Sequence, residues 1–127
     1  MQVGVRVLVV DDSKVMRQLS QLALAGQPGW VVHAVESGAE ALVAGAAEPP
    51  DVILLDSEMP GMDGSATLTA LQADSRTSAV PVIMVTANEQ PAARAAFAQL
   101  GAVGVIQKPF AIDRLAAQVT ELLVGAR

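Results

Sequence analysis

Five apolar runs of strand length, separated by stretches with helical spacing, constrain the fold of this chain more than any other feature. In chain order, the runs occupy residues 5–10, 30–35, 51–55, 81–85 and 102–107. Apolar residues recur with helical spacing in residues 14–25, 38–47, 64–73, 89–100 and 110–124. Strands that are apolar on both faces and alternate with helices are typical of a parallel sheet covered on both sides. The sequence therefore predicts a doubly wound α/β fold with five strands and five helices.

Local signals support the ends of several of these elements. Ser37, followed by Glu40 three residues later, has the spacing of a capping box at a helix start. Gly26 and Gly101 lie where helices should end, and Pro81 opens a strand, where its missing N–H is tolerated. One face of the last predicted helix would carry Ile112, Leu115, Ala116, Val119, Leu122 and Leu123.

The composition describes one domain and excludes several classes of function. A chain of 127 residues with 52% hydrophobic content has room for one core, at about residues 5–124, and we expect no output domain beside it. The net charge of -5 argues against direct nucleic-acid binding, which needs a basic patch. Because the chain has no cysteine, it can form neither disulfides nor thiolate metal sites, and thiol catalysis is excluded.

The N-terminal segment indicates neither a membrane span nor a signal peptide. Its apolar run is far too short to cross a bilayer. Asp11 and Asp12 follow that run where a signal peptide would have small cleavage-site residues. We therefore expect a cytoplasmic protein without membrane insertion.

Polar residues follow several of the predicted strands, at the edge of the sheet where doubly wound folds bind ligands. They are Asp11 and Asp12 after the first strand, Asp56 after the third, Thr86 after the fourth, and Lys108 with Pro109 after the fifth. Each has an ordinary explanation alone: an aspartate often caps the next helix, a threonine suits a strand, and a lysine is usually a solvated charge. Their joint position at one edge predicts a common site.

Three carboxylates at this edge would require a counter-charge. At about 4 to 5 Å and an effective dielectric constant near 20, each pair repels by roughly 3 to 4 kcal/mol. Lys108 alone cannot neutralise Asp11, Asp12 and Asp56. A few carboxylate oxygens completed by waters are the ligands that Mg²⁺ prefers. The sequence therefore predicts a site for Mg²⁺, with Mn²⁺ as a substitute.

Four motifs, "VLVVDDS", "VILLDSEMPGMDG", "VIMVTA" and "IQKPF", occur in this order and resemble the receiver domain of two-component response regulators, the CheY-like proteins. The resemblance covers about residues 5–124. It implies a flavodoxin-like (βα)5 sheet with strand order 2-1-3-4-5. It also implies that a histidine kinase or a histidine phosphotransfer protein donates a phosphoryl group to Asp56, which then switches protein–protein interactions.

The resemblance assigns a role to each residue of the site. Asp12, Asp56 and the backbone carbonyl of Glu58 would coordinate the metal directly, with Asp11 acting through water. Asp56 would be the nucleophile, because a carboxylate ionised at neutral pH needs no general base. Lys108 and the Thr86 hydroxyl would bind phosphoryl oxygens, since positioning and electrostatics supply most of phosphoryl-transfer catalysis.

The donor histidine must come from a partner, since the only histidine, His33, lies within a predicted strand rather than at its end. We therefore expect a signalling phosphoacceptor rather than an enzyme, with intrinsic self-phosphorylation and autodephosphorylation only.

The same resemblance identifies residues that would tune the output. Glu58 and Asn88, two residues past Asp56 and Thr86, would flank the water that hydrolyses the acyl phosphate. Val105 occupies a position where receivers usually carry an aromatic residue, and Pro109 follows the lysine. A downstream protein would dock on the face formed by helix 4, strand 5 and helix 5.

Three alternatives remain at this point. A flavodoxin-like flavin binder shares the fold, but "DDSK" after the first strand would repel phosphate without a metal. A haloacid-dehalogenase-like phosphatase needs a second acid two residues past its nucleophile, and here only Glu58 has that spacing. A degenerate receiver could act as a phosphorylation-independent interaction module, although the complete set of five site residues argues against it.

Overall fold

The computed structural model describes residues 4–88 and 90–125. Five strands alternate with five helices along this part of the chain. The strands are β1 (Val5–Val10), β2 (Trp30–Val35), β3 (Val52–Asp56), β4 (Val82–Thr86) and β5 (Gly104–Gln107). The helices are α1 (Lys14–Ala25), α2 (Gly38–Ala47), α3 (Gly64–Ala73), α4 (Pro91–Gln99) and α5 (Leu115–Gly125).

The strands form one parallel sheet in the order β2-β1-β3-β4-β5. This confirms the doubly wound α/β fold and the strand order that the resemblance implies. The strand order reverses between β1 and β3, so the carboxyl ends of these two strands border the crevice where such folds bind ligands. In the register, Val10 lies opposite Leu55, which brings the residues that follow β1 next to the end of β3.

Alternate residues of the buried strands supply two separate cores, one on each face of the sheet. Because successive side chains of a strand point to opposite faces, a run that is apolar throughout fills both. One core packs against α1 and α5 through Leu24, Leu115, Ala116 and Val119. The other packs against α2, α3 and α4 through Ala41, Leu68, Leu71 and Phe97. Both faces of β3 and β4 are thereby buried.

The predicted helix ends agree with the structure in most places. Ser37 caps α2 by accepting a hydrogen bond from the backbone N–H of Glu40 at 3.1 Å, which confirms the serine half of the predicted capping box. The Glu40 carboxylate accepts from the Ser37 hydroxyl at 3.4 Å rather than from its backbone N–H. Gly101 follows α4 with a φ of +104°, a conformation that favours glycine. Gly26 follows α1 as predicted, but with a φ of -72° that any residue adopts.

The start of the last helix was predicted wrongly. The sequence pattern places it at residue 110, whereas α5 begins at Leu115. Residues 111–114 form a turn in which the N–H of Arg114 donates to the carbonyl of Ala111 at 3.0 Å. Ile112 therefore lies outside the helix and is 43% exposed, because the apolar spacing continues into a turn that does not pack on the sheet.

Helix α4 is shorter than predicted. It begins at Pro91, whose missing N–H costs nothing at the first helical position, rather than at residue 89, which lies outside the described residues. It ends at Gln99.

None of the helices in residues 4–88 and 90–125 combines the length and the apolar character needed to cross a bilayer.

Candidate functional site

The carboxyl ends of β1 and β3 bring three aspartates together. Asp56 is the last residue of β3, and Asp11 and Asp12 directly follow β1. Each of the three offers a carboxylate oxygen, and these oxygens lie within 4.8 Å of one another. Asp11 and Asp56 are each 4% exposed, whereas Asp12 is exposed. The predicted acidic cluster is therefore present, with two buried members and one that faces solvent.

Lys108, which directly follows β5, provides the positive charge next to these aspartates. Its Nζ donates to Asp11 Oδ2 and to Asp56 Oδ1, both at 3.1 Å. Three carboxylates against one ammonium group leave two negative charges uncompensated. In a largely buried cluster this residual repulsion is costly, and a divalent cation would remove it.

The pKa shifts of Asp56 and Lys108 show which of the two side chains the site favours in its charged form. The pKa of Asp56 is raised above its ordinary value, mainly by burial and also by the negative charge of Asp11. Hydrogen bonds from Lys108 and from the N–H of Glu58 lower this pKa, but they do not cancel the rise. Burial by itself would lower the pKa of Lys108, but its contacts with Asp56 and Asp11 outweigh this and raise it. The charged form of Lys108 is therefore favoured, whereas the ionised form of Asp56 is disfavoured without a further positive charge.

The loop after β1 is fixed by two hydrogen bonds to Asp11. The N–H of Ser13 donates to Asp11 Oδ1 at 2.9 Å, and Nη1 of Arg17 donates to the Asp11 carbonyl at 2.8 Å. The Arg17 guanidinium also lies 3.7 Å from Glu36, which precedes α2. Arg17 is a residue that the sequence analysis missed. Arg17 is the fourth residue of α1, and only the structure shows that its side chain reaches the end of β1.

The residue that follows β3 and the last residue of β4 contact each other through their hydroxyl groups. Ser57 Oγ donates to Thr86 Oγ1 at 2.8 Å, and the N–H of Asn88 donates to the same oxygen at 3.0 Å. Thr86 is 1% exposed, and Asn88 is exposed. Ser57 was also missed by the sequence analysis. The structure explains the contact, because Asp56 lies opposite Val85 in the register and Ser57, the residue after β3, therefore lies opposite Thr86.

The loop between β3 and α3 approaches Asp56 closely. The N–H of Glu58 donates to Asp56 Oδ1 at 3.2 Å, which orients that carboxylate. Gly61 has a φ of +77°, which favours glycine. A Cβ on Gly64 would lie 2.5 Å from the Asp56 carbonyl oxygen, so only glycine allows α3 to begin this close to the strand. The role of the Glu58 carbonyl as a metal ligand stays a prediction.

Three further residues of the sequence analysis lie away from the carboxylates. Val105 in β5 is partly buried and packs against the core on the α4 side of the sheet. Pro109 is exposed, and the Lys108–Pro109 peptide bond is cis. His33 is exposed on the edge strand β2, opposite Leu8 in the register and therefore not at a strand end.

The donor set fits the metal ion predicted from the sequence. Mg²⁺ prefers oxygen ligands, keeps several waters and is usually bound by one or two carboxylates. Asp11, Asp12 and Asp56 offer oxygens alone, and the exposure of Asp12 leaves one side of the cluster open to waters. The uncompensated negative charge also favours a divalent ion over a monovalent one.

Comparison with known proteins places residues 7–120 in the family described as the response regulator receiver domain. The chain is 44% identical over 119 residues to the DNA-binding transcriptional regulator NtrC of Escherichia coli strain K12, a match that covers 94% of this chain. It is 38% identical over 108 residues to the protein-glutamate methylesterase/protein-glutamine glutaminase 2 of Anaeromyxobacter dehalogenans, covering 84% of this chain. The chain spans 24% and 31% of these two longer proteins, respectively.

The fold is also similar to that of solved structures. The chemotaxis protein CheY4 of Vibrio cholerae superimposes with a TM-score of 0.87 at 30% identity, covering 94% of this chain and 98% of that one. Receiver domains serve as phosphoacceptors in two-component signalling, take the phosphoryl group from kinases or phosphotransfer proteins, and bind Mg²⁺ at an acidic cluster. On the family match, the relatives and the fold together, the chain belongs to the receiver domain family of two-component response regulators.

Proposed function

We propose that Asp56 is the residue of this chain that accepts the phosphoryl group. The observation that carries the proposal is the position of Asp56. It is a buried carboxylate at the carboxyl end of β3, contacted by Lys108 at 3.1 Å and within 4.8 Å of the oxygens of Asp11 and Asp12. Asp12 is exposed, and Asp11 accepts hydrogen bonds on both of its carboxylate oxygens, from Ser13 and Lys108. The two hydrogen bonds to Asp56 both fall on Oδ1.

The chemistry of the transfer follows from these contacts. An oxygen of Asp56 attacks the phosphorus of a phosphohistidine on the partner, the phosphorus–nitrogen bond breaks, and the imidazole leaves with its electron pair. The product on this chain is an acyl phosphate. The ammonium group of Lys108 can exchange a carboxylate oxygen for a phosphoryl oxygen, because both are acceptors, and the Thr86 hydroxyl can donate to another.

Asp11, Asp12 and Asp56 would hold Mg²⁺, or Mn²⁺ in its place. As the resemblance implies, Asp12, Asp56 and the backbone carbonyl of Glu58 would bind the ion directly, and Asp11 would bind it through a water molecule. When bound, the ion supplies positive charge to the phosphoryl oxygens. Hydrogen bonds from Ser13 and from the N–H of Glu58 hold Asp11 and Asp56 in place, and the exposed Asp12 leaves its side of the cluster open to the donor.

Trapping of the acyl phosphate tests the proposal directly. The protein is incubated with a small phosphodonor, with Mg²⁺ or with a chelator, and the product is treated with a hydride reagent. Reduction of an aspartyl phosphate leaves homoserine, which peptide mass analysis can locate. We expect homoserine at position 56 only in the sample with Mg²⁺. Homoserine at position 11 or 12 would contradict the assignment.

Asp12 should affect stability and metal binding in opposite directions. Asp12→Asn removes one of three mutually repelling charges, so we expect the metal-free protein to gain up to about 1 kcal/mol of unfolding free energy. The same change removes a ligand oxygen and should weaken Mg²⁺ binding at least about tenfold. Thermal unfolding in chelator and calorimetric Mg²⁺ titration measure the two effects. A loss of stability in chelator would show that Asp12 is not repelled by its neighbours.

Glu58 and Asn88 should set the lifetime of the acyl phosphate without affecting its formation. Both side chains are exposed at the mouth of the site, and their backbone N–H groups are bonded to Asp56 and Thr86 respectively. Glu58→Asn and Asn88→Glu should therefore change the dephosphorylation rate while the protein still takes up one phosphoryl group. Decay of the labelled protein, followed by intact mass, measures this. Unchanged decay in both variants would reject the role.

The proposed function also includes a surface on which a partner protein detects phosphorylation. The face formed by α4, β5 and α5 carries exposed alanines at positions 92, 95 and 117, and Val105 lies beneath it against the core. Only Phe97 of α4 is buried, so this helix is held to the sheet by few side chains. We therefore propose that a cytoplasmic partner protein reads a small shift of α4 and the loop before it, without the aromatic rotation for which Val105 has no ring.

A further inference from the structure

The hydroxyl groups of Ser57 and Thr86 form a hydrogen bond, here called the hydroxyl pair, that joins the two loops beside Asp56. Thr86 Oγ1 accepts from Ser57 Oγ at 2.8 Å and from the N–H of Asn88 at 3.0 Å. A hydroxyl oxygen has two lone pairs, so these two bonds occupy its acceptor capacity. The orientation of the Thr86 side chain is therefore determined by Ser57 and Asn88 together.

The backbone on both sides of the hydroxyl pair is held in place. The N–H of Ser57 donates to the Val85 carbonyl at 3.0 Å, and the Ser57 carbonyl accepts from the N–H of Gly64 at 3.2 Å. The Thr86 carbonyl accepts from the N–H of Lys108 at 2.8 Å. With these segments fixed, the hydroxyl pair breaks only when the side chain of Ser57 or of Thr86 rotates.

The hydroxyl of Thr86 is bonded here to Ser57 and Asn88 rather than to Asp56, so we take its contact with a phosphoryl group on Asp56 to need another χ1 position of Thr86. The phosphoryl oxygens are acceptors, so Thr86 can bond to them only by donating its hydroxyl hydrogen. The side chain of threonine moves between discrete χ1 positions, and a change of position carries Oγ1 away from Ser57 Oγ. The bond from Ser57 must therefore be lost when Thr86 turns to the phosphoryl group.

We propose that Ser57 is a positioning residue that holds Thr86 in its unphosphorylated arrangement and thereby lowers the apparent affinity of the site for a phosphoryl group. The inference rests on the proposed acceptor role of Asp56 and adds a residue that sets the switch equilibrium. A ligand that binds one of two arrangements has its apparent affinity reduced by the fraction of protein in that arrangement. Removal of the Ser57 hydroxyl raises this fraction.

Titration with beryllofluoride in the presence of Mg²⁺, followed by NMR, tests the proposal. Ser57→Ala should bind this phosphoryl mimic about fivefold more tightly than wild type, which corresponds to about 1 kcal/mol, the usual worth of one hydrogen bond. Ser57→Thr keeps a hydroxyl at the same position and should restore the wild-type affinity. Ser78→Ala, an exposed serine before β4 at the opposite end of the sheet, should bind like wild type.

A second readout separates positioning from a general structural effect. In the ligand-free Ser57→Ala protein, the methyl signals of Thr86 and Val105 should move toward their positions in the beryllofluoride-bound wild type, and Ser57→Thr should return them. Equal or weaker binding by Ser57→Ala would overturn the role of Ser57 while leaving that of Asp56 intact. Failure of the wild type to bind the mimic would overturn both proposals.

Discussion

An Asp56→Asn protein is expected to take up no phosphoryl group under conditions in which the wild-type chain takes up one. The amide is a poor nucleophile and cannot form an acyl phosphate, while its size and shape match those of the carboxylate. The remaining carboxylates are not expected to take its place, because both oxygens of Asp11 accept hydrogen bonds, from Ser13 and Lys108, and Asp12 is exposed. Intact mass after incubation with a small phosphodonor and Mg²⁺ measures the difference.

The control for this result is a second aspartate outside the site. Asp63 caps α3 by accepting from the N–H of Ala66 at 2.9 Å, and asparagine is an equally good capping residue. Asp63→Asn should therefore be phosphorylated like the wild type. Asp56→Asn should also remain folded, since burial raises the pKa of Asp56 and a neutral group is favoured there. Full labelling of Asp56→Asn would move the nucleophile to another residue.

The fold could be predicted because the sequence determines burial on both faces of the strands. β3 and β4 are apolar throughout, and each is buried at every position. Such runs fit only a sheet that is covered on both sides. The last helix shows the limit of this reasoning. Ile112 continues the apolar spacing, but the hydrogen bond between Ala111 and Arg114 makes a turn there, and the spacing of side chains does not report that bond.

The site could be predicted residue by residue, but its contacts could not. That polar residues follow β1, β3, β4 and β5 is visible in the sequence, and parallel strands bring their carboxyl ends to one edge. The bonds from Lys108 to two aspartates depend on how strands distant in sequence are ordered in the sheet. The contact between Ser57 and Thr86 depends on the register of β3 and β4, which apolar runs do not specify.

Lys108→Met should destabilise the metal-free protein by about 3 kcal/mol, because it leaves two buried carboxylates without their cation. The ammonium group lies 3.1 Å from oxygens of both Asp11 and Asp56, and its side chain is 19% exposed. Methionine has a similar length and buries no polar group, so the loss reports the missing charge rather than a cavity. Chemical denaturation in chelator measures it. Mg²⁺ should recover much of the loss, since it supplies positive charge to the same carboxylates.

The pH dependence of this loss follows from the pKa shifts. Burial raises the pKa of Asp56 and Lys108 lowers it, so the pKa of Asp56 rises further when Lys108 is removed. The loss requires ionised carboxylates. It should therefore be full above the raised pKa of Asp56 and should shrink as the pH falls through that pKa and Asp56 takes up a proton. Lys14, the other lysine of the chain, is exposed at the start of α1, and Lys14→Met should change the stability by less than about 0.5 kcal/mol at either pH. An equal loss in the two variants, or a loss in Lys108→Met that does not change with pH, would show that the lysine does not act by neutralising these aspartates.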